Sequence, residues 1–158
     1  MGTDINVRIV KKNRKTNLWE QIKLYRKEES KYKVVTPYPY RNSGLFDILS
    51  ENEEDSFRCN HILINNLPTS LQEEITKCTN TVGYYGFYEL TLADLKLYLY
   101  DTPKVRDYDY GDDSPKAWKD NPVKYFIECI ENYIKFADPY YEFDCLDSDI
   151  RILYWFDC

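Results

Sequence analysis

The ten residues Asp149-Ile150-Arg151-Ile152-Leu153-Tyr154-Trp155-Phe156-Asp157-Cys158 constrain this chain's fold more than any other stretch. Branched and aromatic side chains dominate them, which suits a pleated and buried surface. Alternation places Ile150, Ile152, Tyr154 and Phe156 on one face and Arg151, Leu153, Trp155 and Asp157 on the other. Bulk on both faces predicts an inner strand covered from two sides. Such a strand cannot be trimmed without losing core, and both of its edges need neighbours.

The opening residues offer one. Ile5, Val7 and Ile9 alternate with Asn6, Arg8 and Val10, the pattern of a half-buried strand. Two further short strands are expected at Trp19 to Tyr25 and at Tyr32 to Thr36. They are separated by the polar connector Lys11–Asn17 and by a turn at Glu28-Glu29-Ser30. Together these predict an antiparallel N-terminal meander, with the 150–157 strand inserted beside the first. Its lysines suit a solvated edge. Pro37-Tyr38-Pro39-Tyr40 ends the sheet, because proline cannot donate to a ladder.

Helical signals follow. Leu45, Phe46, Ile48 and Leu49 form a brief helical patch ahead of the acidic loop Glu51-Asn52-Glu53-Glu54-Asp55. After the Leu67-Pro68 turn, Ser70 is a candidate cap for a short helix from Leu71 to Lys77. Thr91 with Asp94 resembles a capping box heading a helix to Tyr100, with Leu92, Leu95 and Leu99 on one face. The strongest helix begins at Asn121 with Pro122 in its first turn. Val123, Phe126, Ile127, Ile130, Ile134 and Ala137 form its stripe, and Pro139 ends it. The expected fold is a single α+β domain over residues 1–158, a mostly antiparallel sheet with two to four helices packed against one face.

A net charge of −6 conceals a division. Residues 1–35 hold ten Lys/Arg against four Asp/Glu, and the remainder holds eleven against twenty-three. Non-specific nucleic-acid binding by the whole molecule is disfavoured, and no direct nucleic-acid partner is expected. Five cysteines (Cys59, Cys78, Cys129, Cys145 and Cys158) form no C-x-x-C pair, which predicts reduced thiols and no zinc site. With no basic-then-apolar leader and no long apolar run, a cytoplasmic protein without membrane contact is expected.

Chemistry-bearing patterns are sparse. The loop Arg106-Asp107-Tyr108-Asp109-Tyr110-Gly111-Asp112-Asp113-Ser114 is the most conspicuous polar feature, but its glycine and Trp118 break the calcium-loop pattern. His61 is the only histidine and lies two residues after Cys59, a spacing that alone makes no nucleophile pair. No phosphate-cradling glycine loop and no nucleophile elbow occur. The chain is therefore expected to be no enzyme and to need no cofactor or metal. Sixteen tyrosines stand out. Tyrosine supplies rigid contact area with a hydrogen-bonding tip. Asp107, Tyr108, Asp109, Tyr110, Asp112 and Asp113 thus make a candidate partner-binding surface.

Four stretches resemble a family of small uncharacterised phage and prophage proteins. Met1-Gly2-Thr3-Asp4-Ile5-Asn6 matches an opening Met-Gly-Cys-Asp-Ile-His, and Arg41-Asn42-Ser43-Gly44-Leu45-Phe46 matches an Arg-Asn-x-x-Leu-Phe run. Leu67-Pro68 and Leu90-Thr91-Leu92 match a turn and a helix start, and Ile150-Arg151 through Trp155-Phe156-Asp157 matches the family's Trp-Phe-Asp ending. Thr3, Asn6 and Tyr84 to Tyr88 depart from the family's Cys and His positions. The resemblance implies a phage or mobile-element accessory role in a bacterial host cytoplasm and no established reaction. The leading expectation is an anti-CRISPR-like inhibitor that docks on a host defence protein, at a basic nucleic-acid-binding groove, through the acidic tyrosine-rich loop. The alternative is a module that sequesters a nucleotide-type immune signal in a pocket of Asp4, Asn6, Arg41, Asn42, Arg151 and Asp157. A small hydrolase is the third.

Overall fold

Strand β7 (Ile150–Asp157) is buried along seven of its eight residues, and β1 (Asp4–Asn13) and β6 (Tyr84–Thr91) flank it, both antiparallel. The computed structural model describes residues 4–41, 45–46, 49–50, 60–101, 122–139 and 145–157, with the backbone alone at 98–101. Among the described residues the main sheet has five strands in the order β2-β1-β7-β6-β5, where β2 is Leu18–Ile22 and β5 is Asn60–His61. The expected inner strand is thus the central one, and the fold is α+β with a mostly antiparallel sheet.

The N-terminal meander is divided. The stretch expected as one strand from Trp19 to Tyr25 breaks at Lys23 into β2 and β3 (Leu24–Glu28). β3 then pairs with β4 (Lys31–Val35) in a separate two-stranded ribbon. Its turn lies at Glu29-Ser30, where Glu29 takes φ 54°. Strand β6 escapes the periodicity because a bulge between Tyr85 and Tyr88 interrupts its alternation. Gly86 makes that bulge possible. It adopts φ +68°, and a Cβ there would come within 2.7 Å of the Phe156 ring.

Helices α2 (Leu92–Asp101) and α3 (Pro122–Ala137) cover one face of the sheet. They join Leu92, Leu95, Val123, Phe126, Ile127, Ile130 and Ile134 to Ile5, Val7, Ile9, Ile150, Ile152, Tyr154 and Phe156 in the larger core. The capping box of α2 forms as expected. The Asp94 carboxylate accepts from the Thr91 N–H at 3.1 Å, and Thr91 Oγ1 accepts from the Asp94 N–H at 3.0 Å. Ala137 is only partly buried in the α3 stripe, while Tyr133, absent from the expected stripe, is buried. The side chain of Leu99 and residue Ile48 lie outside what the structure describes.

Helices do not keep to one face. α1 (Thr69–Thr79) packs Leu71 and Ile75 with Leu67, Val10, Leu153 and Trp155 into a smaller second core on the opposite side. Nor does Ser70 cap it. The helix starts at Thr69 after Pro68 without a side-chain cap, because proline already supplies the extended residue before the first turn.

Candidate ligand-binding cleft

The two faces of β7 continue across its neighbours because directly paired residues share a side. Register pairs Asp4 with Asp157, Asn6 with Trp155, Arg8 with Leu153 and Val10 with Arg151, so Asp4, Asn6, Arg8, Arg151 and Asp157 lie on the α1 side. This distributes the described residues of the expected pocket. Asp4, Asn6, Arg41 and Asp157 gather at one end of the sheet. Asn6 Nδ2 donates to Asp157 at 3.1 Å, and Arg41 clasps Asp4 with both Nε and Nη2. Beside Asp4, and near Asp157, the Arg41 guanidinium is raised above its ordinary range. Arg151 stands six residues further along β7, roughly 20 Å from Asp157 at the rise of an extended strand. Asn42 lies outside the described residues, as does the whole Asp107–Asp113 segment.

Arg151 belongs to a buried pair of its own. Its Nη2 bonds the Glu89 carboxylate on β6 and donates to the Leu63 carbonyl at 2.9 Å, while Glu89 accepts from the Leu63 N–H at 3.3 Å. The guanidinium lies 4.8 Å from the centre of the Trp19 ring. The pair therefore fastens the Leu63 backbone to the sheet through both of its polar groups. Glu89 carried no signal in the sequence, because the bulge of β6 hides which face it occupies.

Between α1 and the near end of β1 and β7 opens a cleft of about 550 Å³, within the size range of small-molecule sites. Its sheet floor is Asn6, Arg8, Trp155 and Tyr84, and its α1 wall includes Glu73, Glu74, Lys77 and Cys78. The Arg8 guanidinium lies 5.2 Å from the centre of the Trp155 ring and donates through Nε to Glu74 at 2.7 Å. Trp155 is 1% exposed, and its indole N–H meets no acceptor among the described residues. Burial raises the Cys78 thiol, with the Glu74 charge adding to it, so it stays protonated and is no ready nucleophile. A second, smaller cavity of about 210 Å³ also borders Arg8, at the base of the β3–β4 ribbon.

His61 is exposed at the end of β5, with its ring centre 5.4 Å from that of Tyr88, and Cys59 lies outside the described residues. Cys78, Cys129 and Cys145 are free thiols. Among the described residues no three His, Cys, Asp or Glu side chains stand close enough to hold a metal, and no helix is long and apolar enough to cross a membrane. No family model, no curated protein and no solved structure matches the chain.

Proposed function

We propose that this chain is a binding module that holds a small ligand bearing a nucleobase-type ring in the cleft between α1 and the sheet. One observation carries the reading. Trp155 lines the cleft, its buried N–H meets no acceptor among the described residues, and an unmet buried donor costs about 1–3 kcal/mol. A ring acceptor entering from the cleft, with a small shift of the groups that cover this N–H, would remove that cost. Asn6 beside it presents an amide suited to the donor and acceptor edge of such a ring, and Tyr84 offers a flat apolar surface. Arg8 and Lys77 suit a phosphate, which would share Arg8 with Glu74. In a phage or mobile element, the setting that the sequence resemblance suggests, such a module would sequester a nucleotide-type immune signal.

The test is a calorimetric titration of linear and cyclic nucleotides into the wild-type chain and into Trp155→Phe, which keeps an aromatic ring but gives up the indole's second ring and its N–H. A member of the panel should bind wild type and bind the variant at least tenfold more weakly, with the variant still folded and melting cooperatively, though at a lower temperature because a core ring is lost. Failure of every nucleotide to bind, or equal affinity for both proteins, overturns the reading.

The composition of residues 107–113 supports a second reading, inhibition of a host defence protein through that acidic segment. Joint substitution Asp109→Lys and Asp112→Lys should then weaken binding to the target at least tenfold, about 1.4 kcal/mol, and added salt should slow association. Unchanged affinity removes it.

A further inference from the structure

The β3–β4 ribbon stands outside the main sheet and is held at its base. The Tyr133 hydroxyl accepts from the Leu24 N–H and donates to the Val35 carbonyl, both at 2.8 Å. Beyond that clamp the strands are exposed. Register pairs Tyr25 with Val34 and Lys27 with Tyr32, which sets these four on one face, with Arg26, Lys33, Glu28 and Lys31 on the other. Tyr32 is 70% exposed and Tyr25 54%. Arg26 takes Glu28 as its partner, and its hydrogen bond and charge hold that carboxyl below its ordinary range. Among the described residues no carboxylate lies within ion-pair distance of Lys27 or Lys31. From Lys23 to Lys33 the ribbon carries five cationic residues against Glu28 and Glu29.

Lysines on an open ribbon are accounted for by edge protection, since they discourage pairing with other strands. Two exposed tyrosines beside them are not, because bare aromatic surface invites association. We infer that this ribbon is a docking surface for single-stranded nucleic acid. Lys27 on the tyrosine face meets phosphates, Lys31 and Lys33 add positive charge from the other face of the thin ribbon, and Tyr25 and Tyr32, diagonal neighbours roughly 7–8 Å apart, stack successive unpaired bases. A duplex keeps its base faces stacked and offers the tyrosines nothing. The acidic remainder of the chain does not forbid this. Each five-residue strand spans roughly 17 Å, about two screening lengths at physiological salt, so the ribbon tip is shielded from the body's charge. The ribbon does not share the cleft's residues, so the two sites stand or fall separately.

Fluorescence anisotropy tests this with the full chain and a labelled, unstructured DNA strand about ten nucleotides long, within the usual site size. Affinity should fall with salt at a logarithmic slope of about 0.7 per phosphate neutralised, and Lys27→Gln, Lys31→Gln and Lys33→Gln together should lower that slope by about 2. Joint Tyr25→Ala and Tyr32→Ala should weaken binding at least tenfold with an unchanged circular dichroism spectrum, and the paired Phe substitutions should retain it. The inference is overturned if wild type does not bind at low salt, or if the lysine variant binds as wild type does. It is overturned equally if the matching duplex binds as tightly as the single strand, or if polyglutamate binds the ribbon in preference to DNA.

Discussion

Along β7, Ile150, Ile152, Tyr154 and Phe156 meet hydrocarbon from α2 and α3, whereas Arg151, Leu153, Trp155 and Asp157 meet a layer that mixes apolar groups with charges. One backbone thus serves two environments with different requirements. Shape and volume satisfy the first face, and Tyr154, its polar member, reaches out to donate to the Leu49 carbonyl at 2.9 Å. The second face needs specific partners. Arg151 has Glu89 and Asp157 has Asn6, while the Trp155 N–H has none among the described residues. A buried polar group left without a partner is where a ligand has most to add. The apolar face therefore depends on packing and the mixed face on specific pairs.

The harshest way to break this contrast is to remove both faces together. A chain ending after Ser148 should show no cooperative transition in urea. Loss of Leu153, Tyr154, Trp155 and Phe156 forfeits roughly 1.5–3 kcal/mol each, comparable with the whole stability of an ordinary domain. A sharp melt of the shortened chain would contradict the central placement of β7.

The mixed face alone is struck by Arg151→Ala. Glu89, with a side chain 10% exposed, would be left charged and buried, and the urea midpoint should fall by the equivalent of about 3–5 kcal/mol. Arg151→Met with Glu89→Leu should recover most of this, because hydrophobic replacement of a buried pair is commonly neutral. A double variant as unstable as the single one would mean that the tie to Leu63, and not the charge, matters most.

A smaller effect is expected just before β7. Burial works against the Asp149 carboxylate, but the Leu146 N–H and Arg14 outweigh it and hold it below its ordinary value of 3.8. Its contribution is therefore present above that value and is lost as pH falls through the lower, folded one. Asp149→Asn should flatten the acid limb of the stability curve and leave its slope near neutrality unchanged. Smallest of all is Arg41→Ala. The Arg41 side chain is 64% exposed and that of Asp4 46%, so the melt should shift by less than about 1 kcal/mol. A large loss would mean that this pair acts as a buried one.

Much of the apolar face was legible in the sequence, because its determinants are periodic. The alternation of Ile150 to Phe156 and the Val123–Ile134 stripe needed only strand and helix geometry, and both resolve into the core they imply. The α2 box was legible because a cap is a local bond between residues three apart. The mixed face was not, since its pairs join residues distant in sequence: Asn6 to Asp157, Arg8 to Glu74 and Glu89 to Arg151. Of the five described residues among the six expected to form a pocket, Asn6 alone lines the cleft, and Arg8, Trp155 and Tyr84 complete its floor. Arg8 looked like an ordinary outward residue of a half-buried strand, and the α1 helix that makes it a cleft residue was expected on the other side of the sheet.

The central position of β7 also sets the order of events when the chain is made. β1 finds the longer of its two partners among the described residues about 150 residues downstream, as the Asn6–Asp157 separation of 151 shows. At the usual elongation rate of roughly 5–20 residues per second, that partner is made on the order of ten seconds later. Through that interval Ile5, Val7 and Ile9 have β2 to lean on only at the far end, where the pairing begins at Ile9. β1 is thus a sticky, half-paired strand during synthesis, and the lysines and arginines on and around it are well placed to keep a nascent chain from aggregating.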